Sequence, residues 1–278
     1  MQSNLNRFCR WEDWNDPSYR ATMRRLMPDL AAADAAYPTG SEHRKVWEYA
    51  HVLNALDEMG VLHPEACVLS VGGGHEEPAY DLTNRVRWVF LTDIYGQGSF
   101  QELSALTSVL ANPDQYARGP YNRRRLVVQH MNGLDLRFED NTFDVVFSFS
   151  AIEHFGSVEA AKCSLREIHR VLKPNGVAAI TTECIVNDAP QYESEGLILF
   201  RPEEIARLVV TPGLRLVEDI DFTMEETAKG MRRPLLETLE LWKKGQDVFP
   251  QIVLDFEGRS CSSLAMFFRK SSDNASAA

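Results

Sequence analysis

Between residues 67 and 182 the sequence alternates short apolar runs with stretches of helical period, and a helical bundle or an antiparallel sandwich does not read that way. The apolar runs are Cys67–Val71, Val86–Thr92, Arg125–Gln129, Phe143–Phe149 and Val177–Thr182. Helical stretches are expected at 76–85, 99–110 and 158–172, the last stopped by Lys173-Pro174-Asn175-Gly176. Strands joined by helical crossovers run parallel, so the expected fold is α/β: a Rossmann-like, mostly parallel sheet with helices on both faces. Ligands of such sheets bind beyond the carboxyl ends of the strands. Four polar or glycine-rich strand ends converge there: 70–76, 93–96, 130–135 and 149–155.

The flanks read differently. Asp16-Pro17 is a cap followed by a proline at the first helical position, which starts a helix reaching about Leu26. Val46, Trp47, Ala50, Leu53, Leu56 and Met59 have helical spacing and Gly60 stops them, so 1–63 is expected to be a helical extension or lid. The aromatic pair Trp11 and Trp14 is read as packing for that extension. The core spans 64–222, with a helix at 202–208 and a sixth strand at Leu214–Ile220. A small cap insertion, 223–258, holds a helix from Pro234 to near Gly245, then Ile252–Phe256 and a turn at Glu257-Gly258. Such an insertion shapes an acceptor pocket or a homodimer interface. The seventh strand lies in 259–270, and 271–278 is a disordered tail.

Composition excludes some classes. Lys plus Arg is 29 against 40 Asp plus Glu, a formal charge of -11, which disfavours general nucleic-acid binding. No run approaches the ~18 apolar residues of a membrane span, and the N-terminus lacks the apolar stretch of a secretory signal. Five scattered cysteines without a CxxC pair fit reduced thiols in the cytoplasm rather than a disulfide framework. No HxH or HExxH motif occurs, so no metal is expected.

Val71-Gly72-Gly73-Gly74, after a strand and before a helix, is a nucleotide loop candidate, because glycine lets the backbone turn sharply and approach a ligand closely. A dinucleotide fingerprint needs glycine at 77, where Glu77 stands. Glu76 and Glu77 put negative charge where a pyrophosphate would sit. S-adenosylmethionine has no phosphate and carries a sulfonium and an ammonium group, so the charge pattern favours it over a nicotinamide cofactor. Asp93, at the end of the second strand, is placed to accept both ribose hydroxyl protons, and suits either nucleoside.

Residues 132–154, NGLDLRFEDNTFDVVFSFSAIEH, followed by 165–176, LREIHRVLKPNG, resemble the class I S-adenosylmethionine-dependent methyltransferases, in particular the methyltransferase type 11 group. The likeness is specific over 132–183 and looser over 67–131. It implies a seven-stranded sheet with the cofactor across the ends of the first four strands. By that resemblance Gly72, Gly73 and Gly74 flank the methionine part, Asp93 holds the ribose, and Ile94 presses on the adenine. Asn132 stands where the family usually has aspartate, and Gly133 offers its N–H to the adenine ring. The Phe149-Ser150 backbone faces the methionine ammonium group. Ser70 replaces a common acid, and His75, Glu76 or Glu77 is expected to compensate.

Methyl transfer is an in-line displacement, so the protein must align nucleophile, methyl carbon and sulfur. A hydroxyl acceptor also needs a base. His154, just past the fourth strand, is the first candidate and Glu183, at the end of the fifth, the second. The competing reading is that Glu153-His154 packs against and caps the next helix. His75 is assigned to the cofactor, His169 to a solvated helix face and Arg123-Arg124-Arg125 to a surface turn. The expected function is a methyltransferase acting on oxygen of a small polar or sugar-like acceptor. The alternatives are a cofactor-binding regulatory or scaffold protein and a nicotinamide-dependent oxidoreductase.

Overall fold

The computed structural model describes residues 4–98, 101–194, 196–246 and 248–272. Its strands are β1 (Cys67–Val71), β2 (Trp88–Asp93), β3 (Leu126–His130), β4 (Phe143–Phe149), β5 (Leu172–Ile185), β6 (Tyr192–Ser194), β7 (Leu197–Leu199), β8 (Leu214–Leu216), β9 (Arg232–Pro234), β10 (Val253–Phe256) and β11 (Arg259–Lys270). Its helices are α1 (Pro17–Leu26), α2 (Pro28–Ala33), α3 (Arg44–Glu58), α4 (Glu77–Leu82), α5 (Thr107–Ala111), α6 (Val158–Val171), α7 (Pro202–Leu208), α8 (Glu226–Lys229) and α9 (Leu235–Lys243).

One sheet runs β3-β2-β1-β4-β5-β11-β10-β9, with β8 also paired to β11. The five strands from β3 to β5 are mutually parallel, and β11 lies antiparallel to β5. Helices cover both faces: α1, α3 and α4 pack together with β4 and β11, while α6 and α7 pack on β5. The strand order reverses between β1 and β4, which opens the crevice where an α/β sheet takes its ligand. Val68–Val71 and Val145–Phe149 are wholly buried, as strands covered on both faces require.

The sheet has nine strands rather than the expected seven, because 223–258 contributes β9 and β10. The 12 residues of β11 pair at Arg259–Cys261 with β10 and at Phe268–Lys270 with β8. The helix expected over 99–110 shrinks to α5; Ser99 and Phe100 lie outside the described residues. Gly96 and Gly98 adopt φ of 80° and 76°, and the chain after them folds back on the glycine loop instead of coiling. Lys173–Gly176, expected as a plain stop, forms the first part of β5, with Asn175 at φ 65°. Of the expected tail, 273–278 lies outside the described residues.

Asp16 caps α1 through Ser18 N at 2.7 Å, with Pro17 in the first turn. Trp14 is buried, with Trp11 stacked on it at 6.2 Å. Residues 7–9 run beside β11, where Cys9 N donates to Ser263 O and Ala265 N to Arg7 O, both at 2.9 Å. Trp47, Ala50, Leu53 and Leu56 bury the predicted face of α3, and each leucine contributes about 1.5–3 kcal/mol. Arg44, Glu48, Tyr49 and His51 are buried too, because α1 and the sheet flank the helix on further sides. His169 is half-buried rather than fully solvated: its ring abuts Gly213, where an added Cβ would come 2.2 Å from Nε2. Among the described residues no helix is long and apolar enough to cross a membrane, and all five cysteines are free.

Candidate active site

The loop after β1 is glycine because nothing larger fits. Gly72 and Gly74 sit at φ 68° and 49°, the left-handed region that side chains disfavour. A Cβ at Gly72 would lie 2.6 Å from Ala151 Cβ, and one at Gly73 only 2.0 Å from Ser70 Oγ. Gly133 comes equally close from the loop after β3, where a Cβ would meet Val71 Cγ1 at 2.9 Å and the Phe155 ring at 3.1 Å. Three strand ends therefore close on one another around the β1–β4 crevice.

Asp93 ends β2. Its carboxylate accepts from Gly74 N at 2.8 Å and Ile94 N at 2.7 Å, locking the glycine loop to the second strand. Burial pushes its carboxyl above the ordinary range, although both N–H groups pull the other way. Ile94 packs over Gly98. Asn132 is exposed, and its Oδ1 accepts from Leu134 N at 2.9 Å in a local turn. Beside it a cavity of about 140 Å³ is lined by His130, Met131, Asn132, Asp135 and Arg137. A cavity of about 160 Å³ opens at the other end of the strands, by Gly60, Asp144 and Lys173, far from the glycine loop.

His75 stacks on Tyr116 at 4.8 Å and its Nε2 meets Leu103 O at 3.4 Å, so it secures the loop wall. Ser70 is buried and its Oγ has no partner among the described residues. Of the three groups expected to compensate for it, Glu77 is held by Arg118 at 2.9 Å, whereas Glu76 turns inward. Glu76 is buried, lies 3.1 Å from Lys45 Nζ and leaves Oε2 unpartnered. Burial pushes its carboxyl up to about 8, despite the nearby Lys45.

The first turn of α3 overhangs β4 and β5 and adds a charged cluster. Lys45 Nζ donates to Phe149 O at 2.5 Å. Glu48, fully buried, accepts from Arg44 Nη1 at 3.2 Å, Ser150 Oγ at 2.9 Å, Thr181 Oγ1 at 2.6 Å and Ser263 Oγ at 2.5 Å. Burial raises its carboxyl, but Lys45, Arg44 and the hydroxyl donors outweigh that and hold it below the ordinary range. Ser150, at φ 46°, also donates its N–H to Thr181 O at 3.1 Å. The strained turn after β4 is thus fixed from both sides.

Next to this cluster, one ligand atom from each of Glu153, His154 and Glu183 lies within 4.8 Å of the others. Motif spacing gave no hint of such a donor set, which joins a loop after β4 to a residue of β5. Glu183 pairs with the Arg44 guanidinium. Glu153 accepts from Thr182 Oγ1 at 2.9 Å, while its Oε1 has no partner among the described residues. Burial, then the charge of Glu183, pushes Glu153 up to about 8. His154 Nδ1–H donates to Gly196 O at 2.8 Å, and burial lowers its pKa. The capping half of the alternative fails, since the cap of α6 is Ser157, whose Oγ accepts from Ala160 N at 3.1 Å, while the 152–154 turn does pack against α6.

The structure therefore brings Gly72, Gly73, Gly74, Asp93, Gly133, Phe149, Ser150, His154 and Glu183 around one crevice and leaves Asn132 at its exposed margin. Sequence reasoning missed Arg44, Lys45 and Glu48, which periodicity consigned to the polar face of α3, and Thr181, Thr182 and Ser263. A buried-looking helix with a charged first turn was the one available signal. The residues fit the expected cofactor: Glu48 and Glu183 are paired with Arg44 and Lys45, while the buried carboxyls of Glu76 and Glu153, pushed up to about 8, are in reserve to ionise against a ligand bearing sulfonium and ammonium charge.

Residues 69–180 match a family described as a methyltransferase domain. A 2-phytyl-1,4-naphtoquinone methyltransferase of Nostoc sp. strain PCC 7120 is 36% identical over 85 residues, 31% of this chain and 35% of that protein. The chain thus matches about a third of the length of that curated relative. Among solved structures, a protein of Galdieria sulphuraria provisionally assigned as a sarcosine dimethylglycine methyltransferase is similar with a TM-score of 0.52 at 19% identity, over 82% of this chain and 85% of that one. The (4+2)-cyclase SpnF is similar with a TM-score of 0.52 at 16% identity, over 92% and 96%. At these identities the structural likeness establishes the fold, and the two differently named activities show that the fold alone does not fix the reaction.

Proposed function

Residues 69–180 belong to the methyltransferase domain family, of the class I S-adenosylmethionine-dependent type, and on that premise we propose that this protein transfers a methyl group to oxygen of a small polar or sugar-like acceptor. The observation that carries the acceptor side of this reading is the trio Glu153, His154 and Glu183 near the ends of β4 and β5, with Glu153 and His154 between Ala151 and Phe155, the two residues that flank Gly72.

When bound, the cofactor supplies a methyl group on a positively charged sulfur. In this reading the glycine loop and Asp93 hold the nucleoside, Asp93 exchanging its Gly74 and Ile94 N–H groups for ribose hydroxyls. His154 is the base. Its Nδ1–H is committed to a carbonyl, which leaves the lone pair on Nε2, and its lowered pKa keeps the ring neutral near pH 7. A hydroxyl proton moves to Nε2, and the carboxylate of Glu183 favours the cation formed. Glu153 and Thr182 set the polar wall that orients the acceptor. Arg44 holds Glu183 in place through their ion pair.

The test is S-adenosylhomocysteine release across a panel of hydroxylated, amine and quinol acceptors, alongside thermal shifts with S-adenosylmethionine and with NAD. Turnover with hydroxylated acceptors supports the reading. Cofactor binding without turnover on any acceptor favours a regulatory binder, and a larger shift with NAD overturns the cofactor assignment.

A further inference from the structure

The trio Glu153, His154 and Glu183 is short of positive charge. Arg44 divides its guanidinium between Glu48 and Glu183, so one cation answers two carboxylates. Glu153, 0% exposed, has only a neutral donor: its Oε2 accepts from Thr182 Oγ1 at 2.9 Å. Its Oε1 is buried with no partner among the described residues. A buried carboxylate oxygen in that position costs free energy unless something else faces it. What stands beside it is an imidazole and a second carboxylate, one ligand atom of each residue lying within 4.8 Å of the others.

Each member of the trio is also braced from outside. His154 Nδ1 meets Gly196 O, between β6 and β7, at 2.8 Å. A carbonyl only accepts, so Nδ1 carries the proton and Nε2 keeps its lone pair. Metal-ligating histidines are held in one tautomer by such a contact on the far nitrogen. Glu183 is held by Arg44 of α3, and Glu153 by Thr182 of β5. His154 is half-buried, so the donors are not sealed from solvent.

Donor type and spacing narrow the ligand. Bonds of about 2.0–2.2 Å put the donors of a tetrahedral zinc site about 3.3–3.6 Å apart, so the trio has to close by about 1–1.5 Å, within reach of the carboxylates' terminal torsions. An imidazole with two carboxylates suits zinc and its transition-metal neighbours. Magnesium keeps a shell of oxygens and water, and calcium takes a larger set of oxygens.

We infer that Glu153, His154 and Glu183 form a binding site for a divalent cation of the zinc class, with one coordination position left open. The site stands on these contacts alone. Its consequence rests on the methyl-transfer reading above: the ion and the acceptor's proton compete for Nε2 of His154, so the loaded protein lacks its base.

The experiment titrates Zn²⁺ into chelator-treated full-length protein by calorimetry, with Mg²⁺ in parallel, and repeats the titration with Co²⁺ followed by its absorption spectrum. The parent should bind a single Zn²⁺ and no Mg²⁺ at the same concentration. The Co²⁺ spectrum should lack a thiolate charge-transfer band, since no cysteine belongs to the trio. His154→Ala and Glu153→Gln should each weaken Zn²⁺ by at least about tenfold, and melting without metal shows that each is folded. His154→Asn stands in if the alanine variant does not fold. No binding by the parent, equal affinity in parent and variants, or a thiolate band would each overturn the site, whether or not the protein binds S-adenosylmethionine. Turnover in the acceptor assay should fall in Zn²⁺ and return with chelator. Zinc held by the trio with turnover unchanged would refute the competition, and His154 as the base with it. If no acceptor turns over, the methyl-transfer reading fails and the zinc titration still decides the site.

Discussion

Glu48 is a fully buried charge with five polar partners among the described residues, and removing it tests whether α3 is an integral wall of the site or a covering laid over it. Glu48→Ala deletes the acceptor for Arg44, Ser150, Thr181 and Ser263. Arg44 keeps Glu183, and Lys45 keeps Glu76 and Phe149 O, so neither cation is stranded completely. Breaking one partner of a buried ionic network costs about 3–5 kcal/mol. Glu48→Gln keeps volume and one acceptor and loses the charge, for about 1.5–3 kcal/mol. At about 2–4 °C per kcal/mol for a chain of this size, the alanine variant should melt about 6–20 °C below the parent and the glutamine variant between them. The assay is thermal and urea unfolding followed by circular dichroism, without cofactor. Because Glu48 is held below its ordinary range, its contribution is present above pH about 4.5 and is lost as pH falls through the folded value. The gap between parent and glutamine variant should therefore close on acidification. An alanine variant melting within about 2 °C of the parent would refute the network as a stabilising element.

Further outcomes follow from the other buried groups. Asp93→Ala should weaken S-adenosylmethionine by roughly tenfold or more, from the loss of one charge-assisted bond, and leave the fold intact; unchanged affinity in calorimetry removes Asp93 from the site. His154→Ala should lower turnover by ~10²–10⁴-fold with little change in cofactor affinity, and the parent's rate should rise with pH below the ordinary histidine range, since burial lowers that pKa. A destabilised but fully active variant would instead assign His154 to structure. Glu153 keeps its proton in the fold up to about 8, so stability should fall as pH rises from about 4.5 to about 8, when only the unfolded chain ionises. Glu153→Gln should flatten that slope, and an equal slope in both proteins contradicts the assignment.

How much of this was readable from sequence depends on which interaction carries the information. β1 through β5, the glycine loop and Asp93 were legible because period and steric demand are local: a strand alternates with a helix, and a loop that brings Gly73 over Ser70 tolerates nothing larger. Elements whose fate depends on distant partners were not. The 99–110 stretch has helical spacing, yet only 107–111 coils, because Ser104 and Leu103 are taken by the glycine loop. The insertion at 223–258 was read as a cap, but β9 and β10 join the sheet on the free length of β11, a pairing set across the chain rather than within it.

The same distinction explains the site. Glu183 and His154 were named from their positions at strand ends, while Glu48 was passed over, because a charged residue on an amphipathic helix is by default assigned to solvent. What overrides the default is enclosure on several sides. Once α1 and the sheet cover α3, Arg44 and Glu48 have no route to water and must find each other and the hydroxyls of Ser150, Thr181 and Ser263. A helix whose buried residues exceed its apolar stripe therefore marks charge brought inside. Here that charge sits on the ends of β4 and β5, where the sheet order says a ligand belongs. The stability of α3 and the chemistry of the crevice are consequently one network. Substitutions in the first turn of α3, well outside the matched domain, should alter ligand affinity and melting temperature together, whereas substitutions at its exposed far end, such as Glu58, should alter neither.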